Sequence, residues 1–254
     1  MKAIILSAGQ GSRLLPLTEE TPKCLLELGA LTLLEWQIQN LVHSGVDEVV
    51  VVTGFAADKV EETLEAVARP ELSVRTRFNP FYSVGDNLST CWLVRDEMRQ
   101  DFLLINGDTV FEAPIPDRLL RRATRPVTVA INRKPTYDSD DMKVRLNGDD
   151  LVEIGKTIDA KKINGESIGM MLFQGEGPRL FSDTLDRIMR TPAGLRSWYT
   201  SVVDGLAADG RVGWVNIEGL DWAEVDYHAD LERAQKIVST WPLLTPEQLV
   251  GLRG

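Results

Sequence analysis

Short apolar runs and amphipathic segments alternate along the first half of the chain. The run Ala3-Ile4-Ile5-Leu6 predicts a buried strand, and the β-branched run at 48–53 predicts a strand that is covered on both faces. The same patterns predict further strands at 73–78 and 101–106, with helices at 32–44, 57–66 and 87–98. This alternation indicates βαβ units and a doubly wound, mostly parallel α/β sheet, in which ligands bind beyond the carboxyl ends of the strands.

The pattern changes after Pro126, where strand-like segments follow one another with short loops. Asn147-Gly148-Asp149 is typical of a hairpin turn, so we expect antiparallel additions to the sheet and a lid over the acceptor pocket. The segments in this half are predicted strands at 127–132, 142–146, 151–155, 167–173 and 212–216, and predicted helices at 178–189, 198–208 and 227–241.

Length, charge and cysteine content narrow the class of protein. A chain of 254 residues fits a single domain with halves at 1–125 and 126–244 and a tail at 245–254. The net charge of −10 argues against a broad nucleic-acid-binding surface, and two cysteines provide neither a disulfide framework nor a metal site. No apolar run approaches the ~18 residues of a membrane span, and the chain begins with a core strand rather than a signal peptide. We therefore expect a cytoplasmic protein that binds neither nucleic acid nor membrane. The sequence does not decide between a monomer and a homodimer.

The segment at 2–25, KAIILSAGQGSRLLPLTEETPKCL, carries the clearest chemical signal. Gly9 and Gly11 follow the first strand, where they allow a sharp turn that brings backbone N–H groups close to an anion. Arg13 and Lys23 add two positive charges, and the prolines at 16 and 22 restrict the backbone that carries them. The segment therefore predicts a triphosphate-binding site.

Two other interpretations of the segment are a plain strand-to-helix turn with solvated charges and a dinucleotide-binding loop. The latter requires a third glycine where Leu14 stands, and a Walker-A loop requires a Gly-Lys-Ser/Thr sequence that does not follow. The segment resembles the signature of nucleotidyltransferases that load nucleoside triphosphates onto sugar phosphates and other small phosphate esters, G-x-G-(S/T)-R-L, Pro-Leu-Thr and Pro-Lys. Ser12 stands where many members have threonine.

Other segments resemble, more narrowly, the cytidylyltransferases that activate phosphocholine, 2-aminoethylphosphonate or inositol 1-phosphate. This resemblance implies a nucleotide-diphospho-sugar transferase fold and Mg²⁺-dependent transfer of CMP from CTP to a small phosphate or phosphonate, with release of pyrophosphate. A UTP- or dTTP-dependent sugar-1-phosphate nucleotidyltransferase is the alternative. The segments that carry the resemblance are 79–82, 86–90, 105–108, 141–144, 153–156, 165–169, 198–199 and 222–226.

Two carboxylates stand in contexts that resemble the metal ligands of this family. Asp108 follows a predicted strand in a Gly-Asp context, and Asp226 ends a Glu-Val-Asp sequence before the last predicted helix. Mg²⁺ is usually held by one or two carboxylates together with substrate phosphates. From position alone, Asp108 could instead close an Asx turn, and Asp226 could cap the helix as well as bind metal.

The resemblance also assigns the nucleotide-binding residues. Lys23, Arg13 and Asp108 are the expected catalytic residues, with Lys23 on the α-phosphate and Arg13 with the glycine loop on the β- and γ-phosphates. Asn87 and Ser89 are expected to select cytosine. The full nucleotide-binding set is Leu6, Ala8, Gly9, Gly11, Ser12, Arg13, Lys23, Gly54, Asn87, Ser89 and Gly107.

Lys156 is the expected ligand of the acceptor's phosphate, with Lys143 in support. Acidic and aromatic side chains would suit an ammonium head group, but tryptophans are more often core residues, so a hydroxylated or carboxylated phosphonate is equally open. His43 and His228 are interpreted as structural. The expected acceptor-binding set is Asp141, Lys143, Lys156, Glu166, Trp198, Tyr199 and Trp222.

Two further classes of protein fit the sequence less well. A glycosyltransferase of related fold would need an Asp-x-Asp metal motif, where this chain has Asn106-Gly107-Asp108. A non-catalytic homologue should have lost the metal carboxylates or Lys23, and all of them are present. The sequence therefore favours a nucleotidyltransferase over both of these classes.

Overall fold

The structure is a computed structural model, and it describes residues 1–67 and 72–243. The chain forms two compact units: unit 1 comprises Met1–Ser83, Ile105–Asp117 and Leu220–Gly254, and unit 2 comprises Val84–Leu104 and Arg118–Gly219. Both units are discontinuous in sequence, whereas the predicted nucleotide and acceptor halves are continuous. The predicted tail at 245–254 lies outside the described residues.

The described residues contain thirteen strands and seven α-helices. In chain order they are β1 (Lys2–Leu6), β2 (Glu27–Leu28), β3 (Leu31–Thr32), α1 (Leu33–His43), β4 (Glu48–Thr53), α2 (Ala57–Val67), β5 (Ser73–Phe78), α3 (Asn87–Leu93), β6 (Phe102–Asn106), β7 (Thr109–Phe111), α4 (Pro114–Arg122), β8 (Val127–Asn132), β9 (Lys143–Asn147), β10 (Asp150–Gly155), β11 (Gly165–Phe173), α5 (Gly177–Met189), α6 (Thr200–Ala208), β12 (Val212–Asn216), β13 (Trp222–Glu224) and α7 (His228–Val238).

Unit 1 is built on parallel strands in the order β5–β4–β1. Ile4 of β1 lies opposite Val50 of β4, and both are fully buried, as the apolar runs predicted. Helix α1 begins with a capping box in which Thr32 and Glu35 bond to each other's backbone N–H groups. The predicted helix–strand alternation of this half is confirmed.

Strands β7 and β13 pair antiparallel in unit 1, with Val110 opposite Ala223. Neither strand is predicted from the sequence, because three residues are too few to show an alternating pattern. A single apolar cluster lies behind this pair and joins it to the segments that carry the glycine loop and α7. Its buried members are Leu14, Leu26, Leu28, Leu33, Trp36, Val110, Ala223, Val225, Ala234, Val238 and Trp241.

Unit 2 contains the predicted antiparallel additions. Strand β8 pairs antiparallel with β11 and parallel with β12, and β9 and β10 form the expected hairpin, in which Gly148 adopts a φ of +58°. Phe102, Phe173 and Phe181 pack together in the core of the unit, with two of their ring-centroid distances at 4.6 Å.

Several helices differ from the predictions. The predicted helix at 87–98 is α3, which ends at Leu93 and is followed by a 3₁₀ turn at Arg95–Glu97. Helix α6 begins at Thr200 rather than 198, α7 ends at Val238 rather than 241, and α4 was not predicted. Throughout residues 1–67 and 72–243, each helix is too short or too polar to cross a lipid bilayer.

Candidate active site

The glycine loop of unit 1 is held in a fixed conformation by its own side chains. Gly11 adopts a φ of +79°, and a Cβ atom there would lie 2.9 Å from the Cβ of Lys23, so only glycine fits. The Thr18 hydroxyl donates to the Gly11 carbonyl at 2.8 Å, and the Gln10 amide donates to the Thr18 carbonyl at 3.1 Å. A 3₁₀ turn at Ser12–Leu14 then places Leu14 in the core and leaves Arg13 exposed.

Four charged side chains of unit 1 meet beside this loop, and we call Arg13, Lys23, Asp108 and Asp226 the nucleotide cluster. The Lys23 ammonium bonds to Asp108 Oδ2 at 2.9 Å and to Asp226 Oδ1 at 2.5 Å. The Arg13 guanidinium donates from Nη1 to Asp226 Oδ2 at 3.1 Å and lies over the ring of Tyr227. The structure therefore brings together all the residues that the sequence assigned to catalysis and metal binding.

The missed strand pair explains how residues 118 positions apart in the chain come together. Thr109 at the start of β7 lies opposite Glu224 at the end of β13, and the Val225 N–H donates to the Asp108 carbonyl at 2.9 Å. Asp108 and Asp226 therefore sit at the same end of a two-stranded ladder. Buried Val110 and Val225 hold that end against the apolar core.

Neither carboxylate has the purely local role that its position allowed. Tyr227 is the N-cap residue of α7, and the Asp230 carboxylate accepts the backbone N–H groups of Asp226 and Tyr227. The predicted capping role of Asp226 is therefore wrong, because Asp230 supplies the cap. Asp108 bonds through Oδ2 to Lys23, and its Oδ1 is buried with no hydrogen-bond partner in the described part of the chain.

The nucleotide cluster is balanced in charge, with two cations and two carboxylates. Burial alone lowers the pKa of the Lys23 ammonium, but the charges of Asp108 and Asp226 and the hydrogen bonds to them outweigh it, so the pKa is raised. Lys23 is therefore a permanent cation, and its side chain is only 12% exposed. The unpaired Oδ1 of Asp108 is an available hard oxygen ligand. Over residues 1–67 and 72–243, no group of three or more His, Cys, Asp or Glu side chains could hold a metal ion.

The remaining predicted nucleotide contacts in unit 1 lie at strand ends beside the loop. Gly107 approaches the end of β1 so closely that a Cβ there would lie 2.4 Å from the Leu6 carbonyl oxygen, and a Cβ on Gly54 would lie 2.5 Å from that of Ala8. Gly9 and Ser12 are exposed on the loop.

In unit 2, the two residues expected to select cytosine begin α3. The Asn87 side-chain oxygen accepts the backbone N–H of Tyr199 at 2.9 Å, which fixes the amide and leaves its nitrogen as the donor. The Ser89 hydroxyl is buried and donates to the Asp86 carbonyl at 2.7 Å. Ser89 therefore stabilises the first turn of α3 through this bond.

Acidic and basic side chains of unit 2 form a second group, the acceptor cluster, defined as Lys134, Lys156, Asp140, Asp141 and Glu166. The Lys134 ammonium bonds to Asp141 Oδ2 at 2.8 Å and to Glu166 Oε2 at 2.7 Å. Glu166 and Asp141 were predicted, whereas Lys134 was not.

Two pKa shifts in this cluster follow from the same contacts. Burial raises the pKa of Glu166, even though its bonds to Lys134 and Asn132 act in the opposite direction. Burial alone would lower the pKa of Lys134, but its bonds to the two carboxylates raise it. At neutral pH Lys134 is charged and offsets the negative charge of its two partners, Asp141 and Glu166, which we call the acidic pair.

Two predicted acceptor contacts are structural. Lys143 is 6% exposed, and its ammonium donates to the carbonyl oxygens of Ser139, Asp141 and Lys156 at 3.1–3.3 Å. Tyr199 is only 1% exposed, so its ring has no surface for a ligand. Their burial, which the sequence does not reveal, makes Lys143 a positioning residue and Tyr199 a core residue.

Lys156, Trp198 and Trp222, which were also predicted as acceptor contacts, keep accessible surface. The Lys156 ammonium lies 4.9 Å from the centre of the exposed Trp198 ring and 3.5 Å from Asp140 Oδ1. Trp222 is half-buried in β13 of unit 1, opposite Phe111.

The nucleotide cluster makes a prediction about stability. Lys23→Met should lower the free energy of unfolding by roughly 2 kcal/mol, because it leaves two partly buried carboxylates without their shared cation. In a double-mutant cycle with Asp108→Asn, measured by chemical denaturation, the coupling energy should be about 1 kcal/mol. Lys236→Met, an exposed lysine of α7, is the control. Additive effects of Lys23→Met and Asp108→Asn would show that the two side chains do not interact.

Comparisons with known proteins identify the family of the chain. The family described as Nucleotidyl transferase matches residues 2–140, more than half of the chain. The CTP:phosphoglutamine cytidylyltransferase of Campylobacter jejuni is 27% identical over 91% of this chain and 98% of its own length. The CMP-5′-(3-aminopropyl)phosphonate synthase of Streptomyces rubellomurinus is 31% identical over 92% of this chain, which spans only 38% of that protein. A UTP–glucose-1-phosphate uridylyltransferase of Haloferax volcanii is 30% identical over 48% of this chain and 51% of its own length.

Among solved structures, the CTP:phosphocholine cytidylyltransferase of Streptococcus pneumoniae superimposes with a TM-score of 0.78 at 22% identity, covering 93% of this chain and 98% of that one. At this identity the similarity concerns the fold, and it confirms the predicted α/β fold of the nucleotide-diphospho-sugar transferase type. The chain therefore belongs to the nucleotidyl transferase family and is a nucleotidyltransferase.

Proposed function

We propose that this enzyme transfers CMP from CTP to a small phosphate or phosphonate and releases pyrophosphate. The observation that carries the proposal is the nucleotide cluster, in which two fixed cations and two carboxylates meet beside a glycine loop. The two relatives with the longest alignments described above are named for cytidylyl or CMP transfer, which supports CTP as the donor. Those relatives are named for different acceptors, so the acceptor is proposed as a chemical class.

The reaction requires placement and charge neutralisation rather than proton transfer. A phosphate monoester has a second pKa of about 6, so its oxygen is already an anion near neutral pH and no general base is needed. That oxygen attacks the α-phosphorus of CTP, a new P–O bond forms, and the bond to pyrophosphate breaks. Lys23 would hold the α-phosphate, while Arg13 and the N–H groups of the glycine loop would hold the β- and γ-phosphates.

The proposed metal is Mg²⁺, and the family typically uses a divalent metal. Asp108 and Asp226 would hold it. Asp108 Oδ1 is a buried carboxylate oxygen without a partner in the described chain, and the Asp226 carboxylate lies close by because both carboxylates bond to the Lys23 ammonium. Two carboxylates with substrate phosphates form the ligand set that Mg²⁺ commonly takes. When bound, the metal would neutralise negative charge on the phosphates of the nucleotide.

Asn87 is the proposed selector of cytosine. Its side-chain oxygen is already bonded to the Tyr199 backbone, so the amide nitrogen is directed as a donor. Cytosine offers an acceptor at N3, where uracil carries a hydrogen, so a fixed donor that meets N3 would discriminate between the two bases. Transfer of UMP or dTMP to a sugar 1-phosphate is the second candidate, and the uridylyltransferase similarity favours it.

A pyrophosphate-release assay separates the two candidates. The purified protein is incubated with Mg²⁺, each nucleoside triphosphate in turn, and a panel of small phosphates, phosphonates and sugar 1-phosphates. The proposal expects pyrophosphate release with CTP and a phosphate or phosphonate. Release only with UTP or dTTP and a sugar 1-phosphate would establish the second candidate.

Lys23→Ala should reduce kcat by roughly 10²–10³, because it removes a fixed positive charge from the reacting phosphoryl group. The same assay with the best acceptor measures the effect, and Lys236→Ala is the control. Turnover within a few-fold of the parent enzyme, in a folded variant, would remove Lys23 from the mechanism.

Asn87→Asp should lower kcat/KM for CTP by at least about tenfold, because an acceptor replaces the donor while the bond to the Tyr199 N–H remains. The preference for CTP over UTP, measured as the ratio of the two kcat/KM values, should fall by the same factor. An unchanged ratio would exclude Asn87 from base selection.

A further inference from the structure

We infer that Lys134 sets the charge class of the acceptor: its ammonium occupies the position that a positively charged head group would take. The head group of the acceptor then carries a hydroxyl or carboxylate instead of an ammonium. The inference rests on the proposed function, because it concerns the acceptor of that reaction.

Both carboxylates of the acidic pair, Asp141 and Glu166, already have a cationic partner in the chain itself. Glu166, with a side chain only 4% exposed, uses Oε2 for Lys134 and accepts the Asn132 amide through Oε1 at 3.1 Å. Asp141 Oδ2 accepts from both Lys134 at 2.8 Å and the Asp138 N–H at 2.6 Å. An ammonium ligand would therefore find these carboxylates paired with a cation of the protein.

The second feature that could bind an ammonium ligand is the exposed face of Trp198. That face already carries the Lys156 ammonium, which lies 4.9 Å from the ring centre. Both the acidic pair and the aromatic face thus have a lysine of the same chain as their cationic partner.

With Lys143 added, the acceptor cluster carries equal numbers of positive and negative charges. Lys134, Lys143 and Lys156 supply three positive charges, and Asp140, Asp141 and Glu166 supply three negative charges. Adding a trimethylammonium group would bring it next to Lys134, and like charges at contact distance disfavour binding.

A hydroxyl or carboxylate meets the opposite situation. The Lys134 side chain is 31% exposed, whereas that of Glu166 is 4% exposed, so a ligand from solvent would meet the lysine before the carboxylate. A carboxylate would gain a charge-assisted hydrogen bond there, and a hydroxyl would gain a neutral one.

The test measures binding by isothermal titration calorimetry, with no nucleotide present. The probes are phosphocholine, whose head group is a cation, and 3-phosphoglycerate, whose head group carries a carboxylate and a hydroxyl. Lys134→Met should strengthen phosphocholine binding at least tenfold and weaken 3-phosphoglycerate binding by a similar factor. Lys161→Met, an exposed lysine of unit 2, changes the net charge equally and should leave both affinities unchanged.

Circular dichroism and thermal unfolding of Lys134→Met establish that the variant is folded. Lys134→Gln, which can still donate a hydrogen bond to Glu166, is the second variant and should change the ratio of the two affinities in the same direction. The inference is overturned if neither variant strengthens phosphocholine binding, or if the parent protein prefers phosphocholine. Failure of the proposed function is a separate result, because it would appear as absence of CTP-dependent pyrophosphate release.

Discussion

The bond of the Lys23 ammonium to two carboxylates is the interaction on which the organisation of unit 1 depends. It connects segments that lie 85 and 203 positions apart in the chain. A largely buried ammonium is tolerated only when it is paired, and here two carboxylates pair with it. The apolar core holds the segments that carry the charges in place. Leu14 follows Arg13, Val110 lies two residues after Asp108 and Val225 precedes Asp226, and all three belong to one apolar cluster. The charges are therefore arranged before any ligand arrives.

This arrangement is suited to phosphoryl transfer. A reaction whose nucleophile is already an anion needs little covalent chemistry from the protein, so fixed charges and fixed N–H groups are the main contribution. Gly11 and Gly107 have no room for a side chain, and the close packing they allow keeps the loop and the strand ends together. In unit 2, by contrast, lysines mainly neutralise acidic side chains of the same chain, and Lys143 is used entirely to hold backbone carbonyls.

The sequence predicted the longer elements and the composition of the nucleotide cluster, but not how that cluster forms. Strands such as β4 were predictable because an apolar β-branched run has one stable environment, whereas β7 and β13 are too short to give a pattern. Arg13, Lys23, Asp108 and Asp226 were found by resemblance to a family. Their meeting depends on the pairing of β7 with β13, which local sequence does not encode.

In unit 2, the sequence did not reveal which side chains are buried or how the strands pair. Ser89, Lys143 and Tyr199 have side chains typical of ligand contacts, yet each is enclosed by its own neighbours. Asn132 lies directly opposite Glu166 in the pairing of β8 with β11, so the correct register would have indicated the hydrogen bond between them. Lys134 follows two residues later, in a loop where a lone lysine gives no local signal.

The most direct test is a crystal structure of the enzyme with Mg²⁺ and α,β-methylene-CTP, a donor analogue that resists transfer. The account predicts that the triphosphate lies along the glycine loop, with Arg13 and Lys23 within hydrogen-bond distance of its phosphate oxygens and the metal on Asp108 and Asp226. A triphosphate bound elsewhere, with the ion pairs of Lys23 to both carboxylates unchanged, would contradict it.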